Sequence, residues 1–464
     1  MEPFRFHVFV CDQQKPEGAP CCAARGSGQV LEALRREVNA RGLEDEVQVT
    51  ACGSLGLCEH GPNLVVYPEG VWYSGVTPAD VPEIVRSHFE EDTPVERLAR
   101  TDPAAVRAEI LHNREKMFAA RRAREAAGVL PDDLNERIRA FQESRVVLTA
   151  LELDLFTAVG DGAGAADVAA RLHTDPRATE MLLNALASLR LLAKQEGVFH
   201  NSPAAARYFT AGSRDNARPA LLHTAHLWQR WSTLTDCVRA GAAVAHDEIA
   251  GRGQDRTEAF IAAMHRNASE RAPLVVRAVG AENVRRMLDV GGGSGAYSIA
   301  FAQANSALRA DILDLATVEP IARRHIQDAG VADRVDVRAG DLRSGRLGEG
   351  YDLVFVSAIC HMLDPAENLD LLRRCHEALA PGGRVVIQDF ILEADKTAPR
   401  FAALFALNML VGTRGGASYS EPEYAGWLGE AGFREIRHAR LPGITGLMIG
   451  SHGEWNYEIH PRKS

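Results

Sequence analysis

The run Met287-Leu-Asp-Val-Gly-Gly-Gly-Ser-Gly-Ala296 ends an extended-favouring stretch with an acidic residue, Asp289, and follows it with a cluster of glycines. Glycine has no Cβ, so a turn built from it lets a nucleotide-like cofactor approach the backbone closely. Tyr297 to Ala304 reads as a helix, which gives strand, glycine turn and helix in that order. Asp314 lies near the end of the next strand-like stretch, Ala310-Asp-Ile-Leu-Asp-Leu315, 25 positions after Asp289. A carboxylate there can accept both hydroxyls of a ribose. A second concentration of chemistry lies near the start of the chain. Of eight cysteines, five fall within the first 58 residues: Cys11, Cys21, Cys22, Cys52 and Cys58. In a chain without an export signal, such a cluster reads as metal or redox chemistry before disulfides.

The elements that must position these groups fall into successive stretches. The chain has 464 residues, which suggests about three domains. Residues 1 to about 91 read as strand, helix, three strands and a closing helix: Phe6–Val10, Gln29–Arg41, Glu46–Thr50, a hairpin over Asn63–Tyr73 and Pro78–His88. Residues 92–133 are charged and alanine-rich, a helical connector whose Arg121-Arg-Ala-Arg124 run reads as a solvated face. Residues 134–270 are helical. Ile138, Phe141, Val146, Leu148, Leu151, Leu153 and Phe156 predict one long amphipathic helix, followed by helices over 165–172 and 175–192 and a β-wing at Glu196-Gly-Val-Phe-His200. That pattern is a winged helix, but the helix over 175–192 carries only Arg177 and Arg190 as cations and is otherwise largely apolar. It suits dimerisation better than DNA. Residues 271–464 alternate strand and helix, with strands expected at 285–290, 310–315, 334–339, 351–357 and 384–390 and final strands within 439–452. This is a mostly parallel, doubly wound sheet.

The glycine run is DxGGGSG and not GxGxxG, which points from NAD toward S-adenosylmethionine (SAM). From about residue 135 the chain resembles the class I SAM-dependent O-methyltransferases with an N-terminal winged-helix dimerisation domain, a group that includes hydroxyindole, plant phenolic and bacterial polyketide enzymes. The resemblance rests on Asp289-Val-Gly-Gly-Gly-Ser-Gly295, Asp314-Leu315, Gly340-Asp341-Leu342, Ile359-Cys-His361 and Pro381-Gly-Gly-Arg-Val385. It implies a homodimer with a Rossmann-like sheet. It also implies that Asp289, Gly291, Gly293, Asp314, Leu315, Asp341, Leu342 and Ser357 bind SAM. His361 matches the family's general base, and Asp389 the acidic residue that orients it. An ordinary imidazole titrates near pH ~6.5 and can accept a proton at neutral pH.

Two departures from the family pattern bear on the reaction. The family's Asp-Trp pair after the histidine is Met362-Leu363 here, and a second family glutamate aligns with Ser418. C- or N-methylation therefore stays open beside O-methylation. The pocket for a small-molecule acceptor is expected from His223, His226, Trp228, Trp231, Met264, Asn267, Asn408 and Met409. Tryptophan and methionine suit a flat, partly apolar acceptor such as a phenol.

The first 91 residues resemble the thioredoxin-like [2Fe-2S] ferredoxins, through Val8-Phe-Val-Cys11, Cys22-Ala-Ala-Arg-Gly26, Leu55-Gly-Leu-Cys-Glu-His-Gly-Pro62 and Val65-Val-Tyr-Pro-Glu-Gly-Val-Trp-Tyr73. Four thiolates ligate such a cluster. Cys11, Cys22 and Cys58 align with family ligands. The fourth family position is Ser54, with Cys52 two residues earlier. Three readings stay open: Cys52 substitutes and is the leading fourth ligand, Ser54 ligates through oxygen, or the cluster is lost and the stretch is a docking module. The resemblance also implies an electron-transfer partner.

Hydrophobic residues make up 46 % of the chain and charged ones 25 %, enough for several cores. The formal net charge of −10 argues against nucleic acid. No basic start with an apolar stretch follows Met1 and no run approaches a membrane span, so a soluble cytoplasmic protein is expected. The leading expectation is a homodimeric SAM-dependent O-methyltransferase acting on a small aromatic hydroxyl. Two rivals remain. One is a SAM-binding redox enzyme, marked by turnover without S-adenosylhomocysteine (SAH) release. The other is a redox-responsive regulator.

Overall fold

The structure, a computed structural model, describes residues 3–15, 20–244 and 254–453. The chain divides into two compact units, residues 1–141 and 142–464.

The first unit is built on a four-stranded sheet in the order β2–β1–β3–β4. Strand β1 (Phe6–Cys11) runs parallel to β2 (Val47–Cys52) and antiparallel to β3 (Asn63–Tyr67), which forms a hairpin with β4 (Val71–Ser74). Helix α1 (Ser27–Ala40) makes the parallel crossover and buries Val30, Leu31, Leu34 and Val38, one face at helical spacing. Helix α2 (Val81–Ile84) continues as a wider π turn through Glu90. Phe6, Val8, Val10, Tyr73 and Phe89 fill the core between them. Elements and order agree with the sequence reading. Helix α3 (Pro103–Ala126) lies in the stretch read as a charged connector and packs within the first unit, where Asn113 Nδ2 donates to the Gly56 carbonyl at 2.9 Å. The Asp102 carboxylate accepts from the Ala104 and Ala105 N–H groups, and Pro103 occupies a first-turn position that needs no N–H.

The second unit begins within α4 (Asp132–Glu152). One helix through Phe156 was expected, but the chain breaks at Asp154, whose φ of +58° is left-handed. The break re-aims α5 (Leu155–Val159), so that Leu155, Phe156 and Val159 join Ala150 and Leu151 in one core. Arg218 compensates for the interrupted helix. Its Nε donates to the Leu151 carbonyl at 2.7 Å and lies 3.3 Å from the Asp154 carboxylate. Ile138 and Phe141, read as part of the buried face, are exposed at 58 % and 54 %.

After β5 (Ala163–Gly164) and α6 (Ala165–Leu172), α7 (Pro176–Ser188) is capped by Asp175, whose Oδ1 accepts from the Ala178 N–H at 2.8 Å. It ends at Ser188 and not at Leu192, because Leu192 is buried as the first residue of β6 (Leu192–Gln195). Strand β7 (Val198–Asn201) closes the wing through Glu196 and Gly197, both at positive φ (+48° and +83°), the two-residue geometry that matches strand twist. Among the described residues, α8 (Pro203–Phe209), α9 (Arg218–Trp231), α10 (Leu234–Ala240) and α11 (Gln254–Val279) follow.

Seven strands then form one sheet in the order β10–β9–β8–β11–β12–β14–β13. Strands β8 (Arg286–Val290), β9 (Arg309–Asp314), β10 (Val335–Ala339), β11 (Tyr351–Ser357) and β12 (Leu379–Asp389) are parallel. β13 (Arg434–Arg440) and β14 (Gly446–Ser451) add an antiparallel hairpin. The interleaved helices are α12 (Ala296–Ala304), α13 (Glu319–Asp328), α14 (Pro365–Ala378), α15 (Arg400–Gly412) and α16 (Glu421–Glu430). Leu353 to Val356 are wholly buried, as a central strand covered on both faces requires. Chain order reverses between β8 and β11, so the loops at their carboxyl ends flank one crevice. No helix among the described residues is long and apolar enough to cross a membrane.

Helix α14 starts on a full capping box. Asp364 Oδ1 accepts from the Glu367 N–H at 2.8 Å, and Glu367 Oε2 accepts from the Asp364 N–H at 2.9 Å. Replacing Asp364 with Ala is expected to cost ~1 kcal/mol. The urea midpoint of the second unit should fall accordingly; an unchanged midpoint would show that the box contributes nothing.

Candidate functional site

The crevice is lined on one side by the glycine turn after β8. Gly291 sits at φ +69°, and a Cβ there would lie 2.3 Å from Ile359 Cδ1, so no larger residue fits. Gly293, at φ +58°, donates its N–H to Asp314 Oδ2 at 2.7 Å, while a Cβ on it would meet nothing nearer than Ile261 at 3.9 Å. Space is therefore open at Gly293, where a ligand would approach. The second Asp314 oxygen accepts from the Leu315 N–H at 2.7 Å. Burial raises the Asp314 pKa against the pull of both N–H groups.

Asp289 lies beneath the turn, completely buried. Its Oδ2 accepts from Ser298 Oγ at 2.7 Å, while its Oδ1 has no hydrogen-bond partner in the structure. Burial pushes its pKa up to about 7. SAM carries a sulfonium and an ammonium. An acceptor oxygen without a donor, a second carboxylate and an open glycine turn fit such a cation. Leu342 borders the turn, with Cδ2 3.4 Å from the Cβ position of Gly291. Asp341 is exposed and accepts from the Arg343 N–H at 2.8 Å. Ser357 donates to Gln388 Oε1 at 2.8 Å, so its hydroxyl ties β11 to β12.

On the other side of the crevice, His361 follows β11 in a short 3-10 turn and Asp389 is the last residue of β12. His361 Nδ1 lies 2.7 Å from Asp389 Oδ1, and both residues are buried. Asp389 also accepts from the His361 N–H at 3.2 Å, the Phe390 N–H at 2.8 Å and the Tyr424 hydroxyl at 3.1 Å. A carboxylate holding Nδ1–H leaves the Nε2 lone pair free to take a proton. Phe405 sets its ring edge-on to the imidazole, with centroids 4.9 Å apart. Burial raises the Tyr424 phenol well above its usual range, which keeps it a donor.

Of the expected acceptor residues, Trp231 and Asn408 meet: the indole Nε1 donates to Asn408 Oδ1 at 3.0 Å. Met409 is buried next to Asn408 on α15, the helix that carries Phe405. Met264 is half-buried. His226 on α9 and Asn267 on α11 are exposed. His223 packs its ring against Phe260, and Trp228 takes the Arg145 guanidinium over its face.

Three contributors were not read from the sequence: Tyr424, Phe405 and His265. The His265 Nδ1 lies 2.8 Å from Ser294 Oγ in the glycine turn. The only signal for Tyr424 is local, a capping box over Ser420 and Glu423 that puts it in a helical first turn. Nothing in its spacing names Asp389 as its partner.

In the first unit, Cys11, Cys22 and Cys58 are buried with their sulfurs within 4.8 Å of one another, and none forms a disulfide. Asn63 Nδ2 donates to Cys22 Sγ at 3.4 Å. Gly61 passes so close that a Cβ would lie 2.5 Å from that sulfur. Hydrogen bonds from Cys11, then Cys22, then Ser54 pull the Cys58 pKa down, while burial opposes them. A convergent set of soft sulfur donors fits a thiophilic metal centre. The structure does not bring Cys52 into this group, because it is fixed as the last residue of edge strand β2. Its thiol is pushed up to about 11, first by burial.

Known proteins resemble this chain over its second unit. A family model described as an O-methyltransferase domain matches residues 231–434, and one described as an O-methyltransferase dimerisation domain matches 136–211. The 3-hydroxy-5-methyl-1-naphthoate 3-O-methyltransferase of Streptomyces sahachiroi is 33 % identical over 331 residues, covering 69 % of this chain and 95 % of that protein. The acetylserotonin O-methyltransferase of Bos taurus is 30 % identical over 341 residues, covering 68 % and 96 %. The solved structure of PigF with SAH superposes with a TM-score of 0.65 at 29 % identity, covering 70 % of this chain and all of that one.

The buried Asp289 predicts a pH dependence. Unfolded, this carboxyl loses its proton near its ordinary 3.8; folded, it keeps it to about 7. The unfolded state binds fewer protons in between, so this group lowers stability as pH rises through that window and adds nothing further above it. Asp289→Asn should therefore gain on the wild type from pH 4 to 7 in urea titrations, and the difference should then level off. A pH-independent difference would refute the assignment.

Proposed function

This chain belongs to the SAM-dependent O-methyltransferases that carry their own dimerisation domain, and from that premise we propose that it methylates a hydroxyl of a small aromatic acceptor, with His361 as general base. The observation that carries this reading is the 2.7 Å contact between His361 and Asp389 at the crevice where chain order reverses. Asp289, Gly291, Gly293, Asp314, Leu315, Asp341, Leu342 and Ser357 hold SAM. Bound there, SAM supplies a methyl group made electrophilic by its sulfonium. Asp389 keeps Nδ1 protonated, Tyr424 steadies Asp389, and His361 Nε2 takes the acceptor's hydroxyl proton. Trp231, Asn408, Met409 and Met264 shape an apolar slot with a few polar points, which suits a naphthol or hydroxyindole. His226 and Asn267 stand at its exposed rim. Two chains pair through the segment that includes Ile138 and Phe141, whose exposure in one chain supports that reading.

The domain reading follows: residues 1–91 are a thioredoxin-like module, 92–133 a connector, 134–270 the dimerisation and pocket region, and 271–464 the methyltransferase sheet. The module holds a [2Fe-2S] cluster and meets an electron-transfer partner in the cytoplasm. The three convergent thiols support this.

The direct test is to incubate the full chain with SAM and a panel of hydroxynaphthoates and hydroxyindoles. O-methyl product with matching SAH supports the reading; turnover without SAH would overturn it. His361→Ala should slow transfer ~10²-fold or more and leave SAM affinity unchanged. A near-normal rate would mean that alignment alone suffices. Asp314→Ala should weaken SAM binding in calorimetry without unfolding the chain, and unaltered affinity would sink the ribose assignment.

A further inference from the structure

Resting on the reading of the first unit as a cluster carrier, we propose that the fourth ligand is the Ser54 hydroxyl oxygen and not the thiol of Cys52. Ser54 Oγ already lies 3.3 Å from Cys58 Sγ, at the edge of the three-sulfur group. The loop that carries it is built to stay there. The Gly56 N–H donates to Ser54 Oγ at 3.2 Å, and Asn113 Nδ2 on α3 donates to the Gly56 carbonyl at 2.9 Å. Gly56 is at φ +87°, pressed so closely on Ile110 that a Cβ would lie 3.0 Å from its side chain. One residue further, the Leu57 carbonyl accepts from Asn63 Nδ2 at 2.7 Å, and the same amide reaches Cys22 Sγ. Ser54 and Cys58 are thus held on either side of a pinned loop.

Cys52 is held differently. It is in register with Cys11 across the parallel pair, and its carbonyl accepts from the Asp12 N–H at 3.0 Å. Bringing its thiol to the three sulfurs requires movement, because Cys52 lies outside the 4.8 Å group. Ser54 needs no such movement.

Ligation forms an iron–oxygen bond and releases the Ser54 hydroxyl proton to solvent. Oxygen is a harder donor than sulfur and favours ferric over ferrous iron. A site with three sulfurs and one oxygen should therefore have a lower reduction potential than one with four thiolates, and lose iron more readily.

The test compares the wild-type full chain with Ser54→Ala, Ser54→Cys and Cys52→Ala after anaerobic reconstitution with ferric iron and sulfide. Iron, acid-labile sulfide, the visible spectrum and the midpoint potential are read, with urea unfolding of the metal-free proteins as a control for folding of the first unit. We expect about two irons and two sulfides per wild-type chain, and the same content and spectrum in Cys52→Ala. Ser54→Ala should lose most of its iron. Ser54→Cys should keep the cluster at a higher potential and surrender iron to a chelator several-fold more slowly. Loss of the cluster in Cys52→Ala with retention in Ser54→Ala would overturn the proposal, as would identical spectra and potentials in all four proteins. Wild-type protein without iron or sulfide would remove the cluster reading itself, a result distinct from either.

Discussion

Four donors converge on the Asp389 carboxylate, and most of that side of the crevice in the second unit is organised by the convergence. Asp389 ends β12. It receives the His361 ring and backbone from the turn after β11, the Phe390 N–H from the chain leaving the sheet, and the Tyr424 hydroxyl from α16. A buried carboxylate without such donors would be costly to keep ionised. With them, it fixes one histidine tautomer and draws three elements to one point. The parallel register of β11 and β12 makes this geometry possible, since Ser357 pairs with Gln388 one residue before Asp389.

The cofactor side is arranged in the opposite way. There both oxygens of Asp314 accept from the N–H groups of Gly293 and Leu315, but one oxygen of the buried Asp289 has no donor. A carboxylate satisfied on every side holds its partners in one arrangement, while one with an acceptor left over can take a donor from a ligand.

Much of this was legible in the sequence because it is local. The glycine run, the acidic residues closing strands and the helix start at Asp175 are each set by neighbours in the chain. The four-stranded sheet of the first unit followed from alternating and helical spacing. What escaped reading was decided by distant groups. The helix from Ile138 breaks at Asp154 because a core formed with Phe199 and Leu183 recruits Phe156, and because Arg218 serves the freed carbonyl. Tyr424 reaches Asp389 across 35 positions of chain. The preference for Ser54 over Cys52 depends on α3, whose Asn113 lies 57 residues from Gly56. No window of sequence contains both partners of such a contact.

The seven-stranded sheet has one further property. Its terminal strand β13 reads Arg434-Glu-Ile-Arg-His-Ala-Arg440, with three arginines along an edge that no further strand among the described residues pairs. An open edge offers free N–H and C=O groups to any strand that drifts past, and charge is among the surest deterrents to such pairing. A second sheet docking there would have to strip water from those guanidinium groups or stack them against its own. The fold thus guards itself against fibrous self-association at this margin.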